Sequence, residues 1–347
     1  MNGNVHQGFE WKRQNLPVER SSVNKLYDFY DRNFTYLRLS LTEKCNFKCS
    51  YCLPDGYKST GCESELNLFE IGNLLRGFRE LGITKVRLTG GEPTLRRDIV
   101  DIVSLAKGLN FQKIALTTNG YRLNDLAAPL FAAGLTNLNV SVDSLDEINF
   151  QKITGQNALN KVLSGIKKSL SIGIPTVKIN TVLLKDLNDF ELKDFLEFVE
   201  QNPVSVRFIE LMQTGENRDY FKKHHLSSLH INSFLKERGW YENSRKTTDG
   251  PAIELSHPDY LGKIGTIAPY SKDFCKSCNR LRVSGKGKLQ LCLFGDGQIN
   301  LRDFLQSPNQ KDELKKKIVQ SLSFKPIGHD LLNGLSGNTK NLSMIGG

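Results

Sequence analysis

Short runs of β-forming residues alternate with helical patterns between residues 36 and 211 of this 347-residue chain. The spacing of apolar residues predicts helices between these runs, for example through Leu74, Phe78 and Leu81. Repeated strand–helix units form a parallel sheet, because two parallel strands need a long crossover connection. The predicted strands are 36–42, 85–89, 113–117, 137–142, 176–184 and 205–211.

Such a set of strands can form an open doubly wound sheet or a curved, incomplete barrel. In both folds, ligands bind where the parallel strands reach their carboxyl ends. Polar, glycine-rich or sulfur-containing residues follow five of the predicted strands: Cys45, Gly90-Gly91-Glu92, Thr118-Asn119-Gly120, Asp143-Ser144 and Met212. The sequence therefore predicts a single functional site at this edge of the sheet.

Seven cysteines form two tight triplets and one leftover residue, Cys62. A small and uneven number of cysteines argues against a disulfide scaffold, and the two triplets indicate metal or iron–sulfur ligation. A structural zinc ion takes four ligands, whereas three thiolates leave one iron of a four-iron cluster free. Zinc completed by a distant ligand, or simple buried cysteines, remain alternatives. The triplets are Cys45, Cys49 and Cys52, and Cys275, Cys278 and Cys292.

The charge balance favours anionic partners, since 47 Lys and Arg residues exceed 37 Asp and Glu residues by ten. Nucleic acid, an anionic membrane surface and phosphorylated small molecules all fit this excess. The N-terminal stretch lacks the apolar core of a signal peptide, and no apolar run approaches the roughly 20 residues that span a bilayer. We expect a soluble, cytoplasmic protein in a reducing compartment.

The first triplet reads CNFKCSYC, and GGEP follows the second predicted strand at residues 90–93. Together these motifs resemble the radical S-adenosylmethionine (SAM) superfamily. The resemblance implies that Cys45, Cys49 and Cys52 hold a [4Fe–4S] cluster whose fourth iron binds SAM. It also implies SAM contacts from Tyr51, Gly90, Gly91, Glu92, Ser141 and Met212.

The second triplet, within CKSCNRLRVSGKGKLQLC, and the terminal Gly-Gly pair resemble the GTP 3′,8-cyclase family of molybdenum-cofactor biosynthesis. The strings YLRLSLTEKCNFKCSYC, LTTNG, NVSVDSLD and VRFIELMQTG match it as well. The resemblance implies an α/β fold, an incomplete (βα)6 TIM-like barrel. A C-terminal region is implied to close its open side and to carry a second [4Fe–4S] cluster on Cys275, Cys278 and Cys292. The implied segments are a flexible extension at 1–34, the barrel at 35–212, the second-cluster region at 213–333 and a tail at 334–347.

The resemblance further implies the reaction. In that family a 5′-deoxyadenosyl radical takes the hydrogen from C3′ of GTP, and the C3′ radical then adds to C8 of guanine. One electron and one proton complete the product, 3′,8-cyclo-7,8-dihydro-GTP. The second cluster is implied to hold the guanine. The positions that match family contacts to GTP are Arg38, Arg87, Thr117, Lys178, Arg280 and Arg282. Catalytic roles are implied for Arg38, Arg87, Arg207, Gly346 and Gly347.

The implied partners are GTP, a flavodoxin- or ferredoxin-like electron donor and a cyclic pyranopterin monophosphate synthase that receives the product. No nucleic acid and no membrane are expected, and a homodimer is one option for the assembly. A radical SAM peptide-modifying enzyme is one alternative, although such enzymes usually carry more C-terminal cysteines. A zinc-containing nucleic-acid-binding protein is another, although no RNP1-like motif is present. No role is implied for Cys62.

Overall fold

The computed structural model describes residues 25–59, 61, 63–244 and 250–345. Cys62, Gly346, Gly347 and residues 1–24 lie outside the described residues, so the predictions made for them stay predictions. No helix in the described ranges is long and apolar enough to cross a membrane.

Fourteen strands are present in the described part of the chain. They are β1 (Leu26–Tyr27), β2 (Asn33–Phe34), β3 (Tyr36–Ser40), β4 (Lys85–Thr89), β5 (Lys113–Thr118), β6 (Asn137–Ser141), β7 (Thr176–Leu183), β8 (Ser205–Glu210), β9 (Tyr241–Glu242), β10 (Ile253–Ser256), β11 (Lys263–Ile267), β12 (Arg280–Val283), β13 (Lys288–Gln290) and β14 (Ile299–Asn300).

The α-helices in the same ranges are α1 (Leu68–Glu80), α2 (Ile99–Gly108), α3 (Leu123–Ala132), α4 (Glu147–Thr154), α5 (Leu159–Ser171), α6 (Leu192–Gln201), α7 (Arg218–His224), α8 (Leu229–Lys236) and α9 (Lys311–Ser321). Short 3-10 helices span Pro93–Leu95, Arg302–Phe304, Pro308–Gln310, Leu322–Phe324, Leu331–Asn333 and Leu342–Met344.

Strands β3 to β8 lie side by side in chain order and are all parallel. In a doubly wound sheet the order of the strands reverses at a switch point. An unbroken sequential order of parallel strands is that of a βα barrel. The six predicted strands therefore lie within two residues of their predicted bounds, and the partial-barrel prediction is confirmed.

The C-terminal region adds strands to both edges of this barrel. Strand β12 pairs in parallel with β3, and β11 pairs in parallel with β8. Strands β13 and β14 continue one edge, and β10 and β9 continue the other. The region thus extends the sheet at both edges, and its residues line the same cavity as those of the barrel.

Alternation along β7 explains how one sheet serves both a core and a cavity. Val177, Ile179 and Leu183 are buried against the surrounding helices, while Lys178 and Asn180 are half-buried on the opposite face. Successive strand side chains point to opposite faces, so one face of each strand is available to line the barrel interior.

A hairpin of β1 and β2 precedes the barrel, with Leu26 and Phe34 paired and fully buried. The Arg32 guanidinium donates to the backbone oxygens of Pro326 and Ile327 at 2.6 and 2.7 Å. Residues 25–34 are therefore packed against the C-terminal region, which differs from the predicted flexible extension. The physical reason is that Leu26 and Phe34 supply enough apolar surface to anchor the hairpin.

Candidate active site

A cavity of about 740 Å³ occupies the barrel interior. Strands β3 to β8, together with β11 and β12, contribute alternate residues to its wall. This volume lies within the range of about 300–1,000 Å³ that is usual for small-molecule sites. The cavity is therefore large enough for a nucleotide-sized ligand.

Three arginines form one row across neighbouring strands of the cavity wall. Arg38 of β3 is paired in register with Arg282 of β12 on one side and with Arg87 of β4 on the other. Burial, together with repulsion from neighbouring cations, lowers the pKa of each guanidinium from 12.5 to about 10. Like charges directly opposite in a sheet are destabilising, so this row indicates an anion as the cavity's ligand.

A second row lies beside the first. Tyr36 of β3 is flanked in register by Arg280 and Lys85, and the Lys85 ammonium lies 4.2 Å from the centre of the Tyr36 ring. Burial alone would raise the pKa of the Tyr36 phenol, but the surrounding cations, with Arg87 the strongest, lower it to about 7. Tyr36 and Lys85 were not predicted as site residues. Each lies two residues before a predicted arginine, Arg38 or Arg87, and alternate residues of a strand share one face.

Glu254 of β10 is an acidic group in this otherwise basic wall. Its Oε1 accepts hydrogen bonds from Lys178 Nζ at 3.0 Å and from Arg207 Nε at 3.0 Å. Burial opposes ionisation, but the two cations, Arg207 foremost, lower the pKa of Glu254 to about 2. Two of the predicted functional residues are thus held by a carboxylate that no sequence motif marked.

The second cysteine triplet lines the same cavity. The Cys278 thiol would have a raised pKa from burial, but nearby cations, first Arg280 and then Lys325, lower it to about 6. Cys278 is therefore largely a thiolate at neutral pH, which is the form that binds metal. All six predicted basic residues also line this cavity: Arg38, Arg87, Lys178, Arg207, Arg280 and Arg282.

The first triplet lies on the loop between β3 and α1, with all three thiols half-buried. Burial raises the pKa of Cys45 to about 11 and that of Cys52 to about 12. The loop is fixed to the end of α4, because the N–H groups of Lys48 and Ser50 donate to the backbone oxygens of Thr154 and Ile153. Three thiols on one fixed loop suit a metal centre that displaces their protons on binding.

The GGEP segment packs directly against this cysteine loop. A Cβ on Gly91 would lie 2.3 Å from the Lys44 backbone oxygen, and one on Gly90 would lie 2.4 Å from the Thr42 backbone oxygen. The N–H groups of Gly91 and Glu92 donate to the oxygens of Thr42 and Lys44, both at 2.7 Å. The glycines are therefore required here for the contact between the two loops.

The buried Glu92 carboxylate links GGEP to the loop after β5. Its oxygens accept from the Thr94 N–H at 2.9 Å, the Thr118 hydroxyl at 2.7 Å and the Asn119 N–H at 2.6 Å. Burial raises the pKa of this carboxyl, although these hydrogen bonds oppose the rise. Glu92 thus fixes the positions of two strand-end loops beside the first triplet.

The remaining predicted SAM contacts are Tyr51 within the first triplet, Ser141 and Met212. The Tyr51 hydroxyl donates to Asp143 Oδ2 at 3.0 Å, and burial raises the pKa of Asp143 to about 6. Ser141 ends β6, and Met212 lies on the cavity wall and packs with the cluster that contains Ile345. The sequence places Asp143 directly after a predicted strand, but it does not predict the hydrogen bond between Asp143 and Tyr51.

The Thr117 hydroxyl on β5 is buried with no hydrogen-bond partner in the described structure, but Thr117 is not among the residues that line the cavity. The backbone of Leu342 and Ser343 lies close enough to the Cys52 thiol to oppose the rise in its pKa that burial causes. Ile345, the last described residue, is buried. The tail therefore approaches the first triplet, while Gly346 and Gly347 lie beyond the described part.

Within the residues that the structure describes, no group of three His, Cys, Asp or Glu side chains, the cysteine triplets included, is already arranged around a single metal ion.

Two family models match the chain. The Radical SAM superfamily model covers residues 39–199, and the Molybdenum Cofactor Synthesis C model covers residues 204–331. The chain is 52% identical to a GTP 3′,8-cyclase of Tolumonas auensis over 323 residues, covering 93% of this chain and 96% of that protein. It is 50% identical to a GTP 3′,8-cyclase of Vibrio parahaemolyticus over 334 residues, covering 95% of this chain and all of that protein.

Among solved structures, the fold is similar to that of Streptococcus suis SuiB bound to S-adenosylmethionine. The TM-score is 0.62 at 14% sequence identity, covering 90% of this chain and 76% of SuiB. This likeness supports the fold.

Proposed function

The chain belongs to the GTP 3′,8-cyclase family of radical SAM enzymes, and we propose that it carries out the reaction of that family in the cavity described above. GTP is the substrate, and the product enters molybdenum-cofactor biosynthesis. The observation that carries this proposal is the row of Arg282, Arg38 and Arg87 in the same cavity as the second cysteine triplet.

The cofactors of the family are SAM and [4Fe–4S] clusters, and the residues present fit them. Cys45, Cys49 and Cys52 would hold the first cluster, because their loop is fixed by α4 and by the close contact with Gly91. When bound, this cluster and SAM supply the hydrogen-atom abstraction that starts the reaction. The contribution of this chain is to hold the two loops in place and to keep them buried.

SAM would lie between the first triplet and the cavity. Tyr51, Gly90, Gly91, Ser141 and Met212 are proposed to contact it. Glu92 has its carboxylate engaged by Thr94, Thr118 and Asn119, so its contribution is to position the loop that carries these glycines.

The triphosphate of GTP would bind the basic wall, since about four negative charges match the rows of cations. Arg38, Arg87, Arg280 and Arg282 are proposed contacts, and their mutual repulsion is relieved when an anion binds. Lys178 and Arg207 are proposed to exchange part of their interaction with Glu254 for the phosphates. The Thr117 hydroxyl, which has no hydrogen-bond partner in the described structure, is proposed to bond the substrate as well.

The second triplet would hold the cluster that contacts guanine. Support comes from the lowered pKa of Cys278, which provides a thiolate ligand without further change. Gly346 and Gly347 are proposed to extend toward the substrate. The approach of Leu342 and Ser343 to Cys52 supports that direction of the tail.

The remaining proposals concern partners and location. We propose a flavodoxin- or ferredoxin-like protein as the source of electrons, and a cyclic pyranopterin monophosphate synthase as the receiver of the product. A cytoplasmic location follows from the need to keep six ligand thiols reduced. A homodimer is one assembly that sedimentation analysis would test.

Relatives at about 50% identity over nearly the whole chain favour the cyclase over a peptide-modifying enzyme or a nucleic-acid-binding protein. The experiment is anaerobic reconstitution followed by iron and sulfide analysis and by incubation with reductant, SAM and GTP. We expect about eight irons for two four-iron clusters, and 5′-deoxyadenosine that forms only with GTP. Zinc in place of iron, or SAM cleavage indifferent to GTP, would refute the proposal.

A further inference from the structure

Lys325 is a buried lysine beside the second triplet, directly after the 3-10 helix Leu322–Phe324. It is only 4% exposed. Its ammonium donates a short hydrogen bond to the backbone oxygen of Leu291, the residue before Cys292, and lies 5.1 Å from the centre of the Phe34 ring. Because a buried ammonium is costly without an opposite charge, this position needs an anion nearby.

The cysteines supply that charge. Burial lowers the pKa of Lys325, and the strongest opposing influences are the thiols of Cys278 and Cys292. Arg32 and Arg282 repel it. Arg32 has its own carboxylate, with Asp28 Oδ2 at 2.6 Å. Arg280 and then Lys325 are the cations that act most strongly on Cys278.

The segment that carries Lys325 is fixed relative to the triplet. The Arg32 guanidinium bonds to the backbone oxygens of Pro326 and Ile327 and also to that of Cys275, at 3.3 Å. One buried side chain therefore links the segment next to Lys325 with a ligand of the second cluster. A charge held rigidly in a dry environment acts more strongly than a mobile surface charge.

The first triplet has the opposite surroundings. Asp143 is buried, and its Oδ2 accepts a hydrogen bond at 3.0 Å from the hydroxyl of Tyr51, the residue before Cys52. A buried carboxyl thus lies beside one triplet, and a buried ammonium beside the other. The two clusters should therefore differ in how readily they accept an electron.

We propose that Lys325 is a fixed counter-charge that stabilises the ligand thiolates of the second cluster and favours its one-electron reduced form. The inference rests on the proposed function in one respect, namely that Cys275, Cys278 and Cys292 hold an iron–sulfur cluster. Reduction adds one electron from an external reductant and breaks no bond, so the cluster gains one negative charge. The ammonium stabilises that added charge and acts as a positioning residue, without touching the substrate.

The test is a potentiometric titration followed by electron paramagnetic resonance, with dithionite as reductant. The full-length reconstituted enzyme is compared with K325M, K325R and K316M. Lys316 is an exposed lysine of α9, so K316M removes a charge of the same kind at the surface. Adding SAM or GTP separately assigns the two cluster signals. We expect K325M to shift the second cluster to a more negative potential, with the first cluster unchanged and with K325R and K316M close to wild type.

Each other outcome is decisive. An unchanged potential in K325M with full iron, or an equal shift of both clusters, would overturn the proposal. Loss of the second cluster in K325M with retention in K325R would support it, because charge would then be needed to hold the thiolates. Loss in both variants would assign Lys325 a structural role and overturn it. Wild-type protein lacking iron at this triplet would instead refute the proposed function, and the iron count shows this before any substitution is made.

Discussion

Arg38 and Arg87 are directly paired in register on neighbouring parallel strands, with both guanidinium groups on the wall of one cavity. Burial and repulsion from neighbouring arginines lower the pKa of both groups, yet both remain charged at neutral pH. Like charges in register repel each other, and an anion bound between the two side chains would offset that repulsion. The pairing of β3 with β4 therefore places two positive charges where a negatively charged substrate would bind.

Replacing one of these arginines should weaken nucleotide binding without loss of iron. For R87A we expect the Kd of GTP to rise about 10- to 100-fold, the usual effect of losing a hydrogen bond between charged groups. Anaerobic titration calorimetry measures it. The matched control is R97A, since Arg97 is exposed. Unchanged GTP affinity in R87A, or equal effects in both variants, would contradict the binding role.

Glu254 should limit the affinity for GTP. In E254Q the Lys178 and Arg207 side chains lose a negative partner, so the cavity attracts the triphosphate more strongly. We expect GTP to bind several-fold more tightly and the Tm of the ligand-free protein to fall, because two largely buried cations lose their counter-charge. Weaker GTP binding would instead mean that Glu254 holds these cations in the binding position.

Nucleotide binding should weaken in alkali. Burial is the main cause that lowers the pKa of Lys178 and of Lys85, each to about 8. The attraction of an ammonium for phosphate is complete below its pKa and is lost as the pH rises through it. We therefore expect the Kd of GTP to rise from about pH 8 upward, somewhat later in the complex because bound phosphate raises both pKa values. In K178R the loss of GTP affinity at high pH should be smaller than in the wild type. A pH profile identical to that of the wild type would exclude Lys178 from the pH-dependent part of binding.

Gly91 should be needed for the first cluster. In G91A the new methyl carbon would lie 2.3 Å from the Lys44 oxygen and would push the cysteine loop away. We expect reconstituted iron to fall from about eight to about four per chain, with SAM binding lost. The control is G108A, because a Cβ at Gly108 meets nothing within 4 Å. Normal iron content and SAM binding in G91A would show that the loops tolerate separation.

The barrel was predictable because its signals are local. Each of β3 to β8 is a short run of β-forming residues followed by a helical period, and adjacent units pair with one another. The strands at the sheet edges were not predicted, because β11 and β12 are short and pair with β8 and β3, far away in the sequence. No local pattern reports such a pairing.

The candidate site divides in the same way. The cysteines and glycines stand in motifs, so the sequence alone marks them as candidates, and the six basic residues do line one cavity. Glu254, Tyr36 and Lys325 belong to no motif. Their importance comes from what the fold brings beside them, namely Arg207, the basic rows and Cys278. Ordinary residues acquire unusual chemistry only through long-range neighbours.

The most direct test of the central claim uses GTP that carries deuterium at C3′ of the ribose. The reconstituted enzyme is incubated with reductant, SAM and this substrate, and 5′-deoxyadenosine is analysed by mass spectrometry. We expect the deuterium to appear in 5′-deoxyadenosine. We also expect a cyclised product with the mass of unlabelled GTP to accumulate in step. Unlabelled 5′-deoxyadenosine, or equal formation without GTP, would contradict the claim that this cavity positions GTP for abstraction at C3′.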